Sequence, residues 1–475
     1  MVSGTARRVV RIIVASAGLA AAQSALADEP WSGLQYPHAD WNVFAGAAYT
    51  SDATLAPNGP SDTIATAGFG GSLYQDTGRL KADLEGSVYY EDYLDDTYAS
   101  HILGRFRGLA TYAFVPERFT WTLQDTLGQL TLNPLLPTTP FNRVSANVFS
   151  TGPDVYMHLG GDVGLNLGAR YGRADYQSNP DGELNDHRIS GNVGLSIALA
   201  PTTTASLNAR ATRVEYQATN TPSYDEYDYY AQFATRSARA GLALDAGLSE
   251  LRSNGATTNA PLAHLTAFRR LTPSWNLNVT AGEEFQNTAN ALQASLASTQ
   301  VVNGQVVPGG TGGGLPTSGT PVANVILSTA VFRAQYAGLA FDFVRPRTTV
   351  DIHGTFTRQH YEFGAQALDR DLEDIGAGFT RRLRPSLSFR ASAAYDRQKA
   401  TDTTPGYEYR YADVGFDWRA GAMLTVTLAY HREDRPAQSP LPGYIENLVY
   451  LGLSYGPPKH TVQFQPPNPA GTGLR

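Results

Sequence analysis

A chain of 475 residues with a formal net charge of −7 at pH 7 and no cysteine carries no disulfide and no thiolate metal site. It also lacks the basic excess of a general nucleic-acid binder. At 42% hydrophobic and 17% charged the composition would suit a water-soluble protein, so the class is decided by how the apolar residues are ordered.

Residues 1–27 read as a secretory signal peptide. Arg7, Arg8 and Arg11 form a positive start, residues 12–22 a short apolar stretch, and Ala25-Leu26-Ala27 a small-x-small cleavage site before Asp28. That stretch is shorter than the roughly 20 residues a membrane-spanning helix takes. No later segment is long and apolar enough either, so membrane residence has to use strands. Residues 28–40 are expected to form a short periplasmic segment with no room for a plug domain.

From residue 41 to 456 hydrophobicity alternates with a period of two. Val163, Leu165, Leu167, Ala169 and Tyr171 alternate with Gly164, Asn166, Gly168, Arg170 and Gly172. The same pattern runs through residues 189–199, 387–396 and 423–431. Side chains on a strand point to opposite faces in turn, so these are strands with one apolar and one polar face. Short turn signals fall at Asp76-Thr77-Gly78, Val115-Pro116-Glu117, Leu159-Gly160-Gly161, Ala200-Pro201-Thr202, residues 236–239, Thr272-Pro273-Ser274, Arg345-Pro346-Arg347, Arg384-Pro385-Ser386 and Arg419-Ala420-Gly421. Longer polar connections lie between them, at 132–148, 177–185, 218–225 and 288–324. This rhythm predicts about 20 antiparallel strands, within a range of 16–20. A β-propeller is the competing reading, but its blades pack four short strands into a similar period and repeat a motif.

An open sheet of this size leaves two long edges, and closure removes them. The predicted fold is therefore all-β, a single antiparallel up-and-down transmembrane β-barrel. A bore this wide holds water and takes the polar parity, which leaves the apolar parity facing lipid. Trp41, Trp121, Trp275 and Trp418, with Phe114, Phe119, Phe343 and Tyr455, sit near the short-turn end; Tyr90, Tyr171, Tyr395 and Tyr430 sit higher along their strands. Two such rings are expected at the edges of an apolar belt. Tyr216 and Tyr361 reach that height on the polar parity. Arg105, Arg107, Arg170, Arg210, Arg390, Asp83, Glu85, Asp351 and Asp417 all fall on the parity assigned to the bore and are the candidate pore-lining residues. The arginines could form a basic ladder for anionic solutes or could neutralise the acids beside them. Residues 457–475 form a Pro-rich tail, and a further strand segment at 460–464 is an alternative.

Two stretches carry a family resemblance. "FNRVSANVFSTGPDVYMHL", residues 141–159, and "AGAAYTSDATLAP", residues 45–57, resemble the outer-membrane β-barrel proteins of exosortase (PEP-CTERM) and exopolysaccharide gene systems, a porin-like group. Thr151, Gly152, Pro153 and Asp154 are the residues matching the motif, though Gly and Pro next to Asp also fit a plain turn. The resemblance implies residence in the outer membrane of a Gram-negative bacterium and a link to exopolysaccharide export.

Chemistry motifs are sparse. The glycine run at 309–314 lacks the Gly-Lys-Ser/Thr ending of a phosphate loop and reads as a flexible connection. His264, His353 and His431 could serve a Ser-His hydrolase acting on envelope lipid, but no nucleophile context accompanies them. The acidic aromatic runs at 89–98 and 224–230 could stack on sugars or hold divalent cations beside lipopolysaccharide; the plainer reading is an upper girdle passing into a solvated rim. No metal, cofactor or catalytic residue is expected. The expected function is a porin-like channel for hydrophilic solutes, polysaccharide among them, with outer-membrane lipid and lipopolysaccharide as surroundings. A non-conducting anchor barrel for a surface or periplasmic partner is the alternative.

Overall fold

The computed structural model describes residues 38–133, 135–177, 184–218, 221–297, 300–302, 305–307, 327–401, 405–438 and 441–457. The signal peptide, most of the N-terminal segment, the glycine run and the tail from 458 onward, with the possible segment at 460–464, lie outside the described residues. Strands account for nearly all of the rest. The first quarter holds β1 (His38–Thr50), β2 (Asp62–Asp76), β3 (Leu80–Tyr93), β4 (His101–Val115) and β5 (Phe119–Thr131). Next come β6 (Arg143–Gly160), β7 (Val163–Tyr176), β8 (Asp186–Ala200), β9 (Thr203–Tyr216) and β10 (Tyr224–Arg236). They are followed by β11 (Ala240–Ser253), β12 (Ala256–Thr272), β13 (Trp275–Gln286), helix α1 (Thr288–Ala297) and the small hairpin of β14 (Gln300–Val302) and β15 (Gln305–Val307). The chain ends with β16 (Phe332–Arg345), β17 (Thr348–Tyr361), β18 (Arg370–Arg384), β19 (Leu387–Gln398), β20 (Tyr407–Arg419), β21 (Leu424–Arg435) and β22 (Tyr444–Tyr455).

All but the small hairpin belong to one 20-stranded antiparallel sheet. Each strand pairs with the next, and β1 pairs with β22 from Val43↔Tyr455 to Thr50↔Leu448, which closes the barrel. Among the described residues no helix is long and apolar enough to cross a membrane, and the closed 20-stranded wall has no free edge.

The period-two pattern decides which way each side chain points. On β8 the row Ile189, Val193, Leu195, Ile197 and Leu199 is exposed on the outer surface, and the same holds around the barrel for Phe69, Leu123, Leu207, Leu244, Leu339, Ile352, Phe416 and Leu451. A contiguous apolar surface of this extent has no place in water and fits hydrocarbon. The lower aromatic ring is present as read: Trp275 packs on Phe343 at 4.8 Å, Phe114 on Phe119 at 5.2 Å, and Trp41 on Tyr455 at 6.1 Å. One acid breaks the belt. Asp125 shares the outer parity of Trp121 and Leu123, and the Asn147 amide donates to it at 2.8 Å.

All nine predicted short turns join consecutive strands at one end. Five details differ from expectation, at the long-loop end and elsewhere along the strands. Residues 143–148, read as loop, are strand because Val144, Ala146 and Val148 are buried against the interior; β10 likewise starts at Tyr224. β11 and β12 meet in a two-residue turn, Asn254 and Gly255, both at positive φ (49° and 77°), as the common hairpin turn requires. The stretch Thr151-Gly152-Pro153-Asp154 is no turn: it lies inside β6. Pro153 has no N–H to give, and the β6–β7 ladder passes from Thr151↔Tyr171 to Asp154↔Gly168 without pairing the two residues between. At Gly152 a Cβ would fall 2.0 Å from the Ala169 carbonyl oxygen, so only glycine fits this close approach. Lastly, β1 opens at His38, inside the segment assigned to the N-terminal extension.

Candidate functional site

The site is the inner wall and the long-loop mouth. All nine predicted pore-lining residues stand on the inward parity. Arg107 lies 3.4 Å from Asp83, Arg170 2.6 Å from Asp154, Arg210 2.7 Å from Asp228 and 3.8 Å from Glu226, and Arg390 3.8 Å from Asp417. Glu85 is the cross-strand neighbour of Arg107. Arg105 is the one of the five arginines with no carboxylate within ion-pair distance among the described residues. The arginines thus stand in a mixed-charge wall. Asp228 is fully buried while the Arg210 side chain is 44% exposed, so this guanidinium covers a buried carboxylate and faces solvent in the bore. Arg170 has another task as well. It donates to the carbonyls of Pro153 at 3.0 Å and Ala169 at 2.8 Å, bridging the gap that Pro153 opens in the ladder.

Each of the three predicted histidines sits between two carboxylates. His264 lies 3.4 Å from Asp245 and 3.0 Å from Glu284. His353 lies 3.8 Å from Asp351 and 3.4 Å from Asp374. His431 lies 2.7 Å from Asp413 and 3.8 Å from Glu433. From β9 round to β22 the bore is therefore lined by acids with histidines set among them. The sequence reading took the acids singly, because strand neighbours cannot be paired without the register.

The connection between β13 and β16 folds inward over its described part. Asn287 caps α1, its side-chain oxygen accepting from the Asn290 N–H at 2.9 Å, and its amide donates to the Tyr224 hydroxyl at 2.6 Å. Ala289 and Leu292 pack on Leu130, Val144, Val148, Ala174 and Tyr176 of β5–β7, while Ala291 packs on Phe332, Ala334 and Tyr361 of β16 and β17. These walls are separated by β8 to β13, so the helix spans a chord of the barrel. Arg188 donates to Asn290 at 2.7 Å, and Tyr216 to the Thr329 carbonyl at 2.8 Å.

Three other loops turn in as well. Leu55, between β1 and β2, and Leu135, between β5 and β6, join Tyr407, Tyr409 and Tyr444, and Arg435 donates to the Leu135 carbonyl at 2.6 Å. Tyr98, between β3 and β4, packs on Tyr93 at 5.1 Å and Phe141 at 5.2 Å, and burial raises its phenol above the usual range. The two acidic aromatic runs divide between faces: Tyr89, Tyr93 and Tyr224 turn inward, whereas Tyr227 lies under Arg252 and Tyr229 is exposed outside.

Wall, belt and bore define the class: a closed antiparallel β-barrel with an apolar outer belt and a polar, partly stoppered lumen. No family model and no curated protein matches the sequence. Among solved structures, the FrpB iron transporter from Neisseria meningitidis is similar with a TM-score of 0.43 at 10% identity, over 89% of this chain and 82% of that one. A variant of the ferric enterobactin receptor from Pseudomonas aeruginosa in complex with enterobactin gives 0.46 at 9% identity, over 89% and 82%. The siderophore receptor PirA from the same organism gives 0.42 at 11%, over 89% and 81%.

Proposed function

We propose that the protein is an outer-membrane channel for small hydrophilic solutes, with a narrowed outer mouth and a preference for cations. The observation that carries this is a polar wall reached by solvent inside a closed barrel whose outer face is apolar. Beyond the upper tyrosines the outer parity turns to ion pairs, such as Arg213 with Glu215 at 2.6 Å and Asp225 at 3.7 Å, and Arg358 with Asp371 at 2.8 Å. Such a band suits the headgroup and lipopolysaccharide layer, and it supports an outer-membrane site with the long loops outside. Acids on the β9–β22 wall and the pairing of four of the five arginines favour cations over anions.

Export of exopolysaccharide is the narrower proposal, resting on the resemblance of residues 45–57 and 141–159. The inward-folded mouth favours small solutes over a polymer. Conductance of the purified protein in a planar bilayer tests the reading. Stepwise currents, with a reversal potential shifted toward cation selectivity across a salt gradient, are expected. Persistent silence in correctly folded protein would favour the anchor reading.

A further inference from the structure

We propose that β21 and β22 hold a divalent first-row transition-metal ion on His431, Glu433 and Glu446. Glu433 and Glu446 are direct cross-strand partners, both face inward, and they are 4% and 0% exposed. Like charges placed opposite one another destabilise a sheet, and burial adds a desolvation cost for each. His431 stands two residues before Glu433 on the same face. One donor atom from each of the three lies within 4.8 Å of the others. Bonds of about 2.0–2.2 Å place tetrahedral donors roughly 3.4 Å apart, a distance that small side-chain adjustments reach.

The second observation is the histidine itself. Its side chain is 6% exposed, Nδ1 lies 2.7 Å from an Asp413 oxygen, and among the described residues Nε2 has no hydrogen-bond partner and faces Glu433 at 3.8 Å. When Nδ1–H donates to Asp413, Nε2 carries the lone pair. This is the carboxylate–histidine pairing that orients an imidazole for a metal. Hydroxyls orient both glutamates as well: Tyr444 donates to Glu433, and Thr50 donates to Glu446 at 2.7 Å. Arg435, two residues after Glu433, turns to the rings of Tyr407 and Tyr409 and to the Leu135 carbonyl. One imidazole with two carboxylates suits Zn2+, Mn2+ or Fe2+ better than the all-oxygen shells of Ca2+ and Mg2+.

The test uses full-length barrel folded in detergent, stripped with chelator and dialysed against Zn2+, with fold checked by heat-dependent gel migration. One Zn2+ retained per folded chain is expected, lost in His431→Gln and Glu446→Gln, weakened about 10- to 100-fold in Asp413→Asn, and kept in His264→Gln. Co2+ on the unmutated protein should give visible ligand-field absorption, a readout that does not depend on any variant folding. Failure of the folded wild type to retain Zn2+, absence of Co2+ bands, or equal retention in the two ligand variants would each overturn the assignment.

Discussion

Two alanines on β19 face opposite ways and give the sharpest test of the wall. Ala391 is on the outer parity with Phe389 and Tyr395, between its partners Phe379 and Val414; Ala394 is on the inner parity, between Gly376 and Tyr411. From Leu387 to Tyr395 the strand rises about 27 Å at roughly 3.4 Å per residue. At a tilt near 40° that is about 20 Å along the membrane normal. Ala391 lies halfway, at the centre of the belt. Ala391→Arg should therefore cost about 2–4 kcal/mol, a roughly 30- to 700-fold fall in the folded-to-unfolded ratio. Ala394→Arg places the same side chain beside inward carboxylates, Asp374 and Asp396 on the flanking positions and Asp413 on β20, and should cost less than about 1 kcal/mol. The assay is reversible denaturant unfolding in lipid vesicles, followed by tryptophan fluorescence and heat-dependent migration. Equal costs for the two variants, or a larger cost at Ala394, would refute the assignment of faces.

Arg210→Ala strands the fully buried Asp228 and should destabilise by on the order of 3 kcal/mol, the low end for a buried pair because Arg210 faces the bore; the same unfolding assay measures it. Arg170→Ala removes the donor to the Pro153 and Ala169 carbonyls and should cost about 1–3 kcal/mol, while Arg170→Lys, lacking the planar fork, should recover only part of that. Replacing residues 288–329 by a short glycine-serine link joins β13 and β16 where Gln286 and Phe332 already pair. The barrel should fold and pass larger single-channel currents; unchanged currents would mean that α1 does not narrow the path. Asp351→Asn combined with Asp374→Asn should lower cation selectivity, read as a smaller reversal potential.

The barrel was legible because period two and the turn residues are local. Ala200-Pro201-Thr202 and Arg384-Pro385-Ser386 announce their turns without reference to any partner strand, and the outer row of β8 announces its own face. Register is a relation between strands, so the opposition of Glu433 and Glu446, the histidines set between acids, and the bridging role of Arg170 were out of reach. Pro153 misled for a similar reason. A proline next to Gly152 and Asp154 reads as a turn until the neighbouring strand supplies a guanidinium to cover the gap. Asn254-Gly255 is a plain hairpin signal at the end expected to carry long loops.

The inward-folded mouth did leave a trace in the sequence, where the alternation fails. On β6 the inner parity is polar or small at Ser150, Gly152 and Asp154 but apolar at Val144, Ala146 and Val148; Leu130 on β5, Val214 on β9, Leu251 on β11, Phe332 on β16 and Leu448 on β22 repeat this near the long-loop end. Apolar groups lining water gain nothing there, so each such site calls for a cover. The covers are Ala289 and Leu292 over β5–β7, Val331 over β9 and β11, and Ala53 and Tyr98 over β22 and its neighbours. Inner-parity apolar residues in a wide barrel therefore mark the footprint of a loop, and the polar remainder marks the open bore. If the barrel conducts as proposed, the acid-rich wall would select by charge and α1 with the inward loops would restrict by width, at different heights along one path.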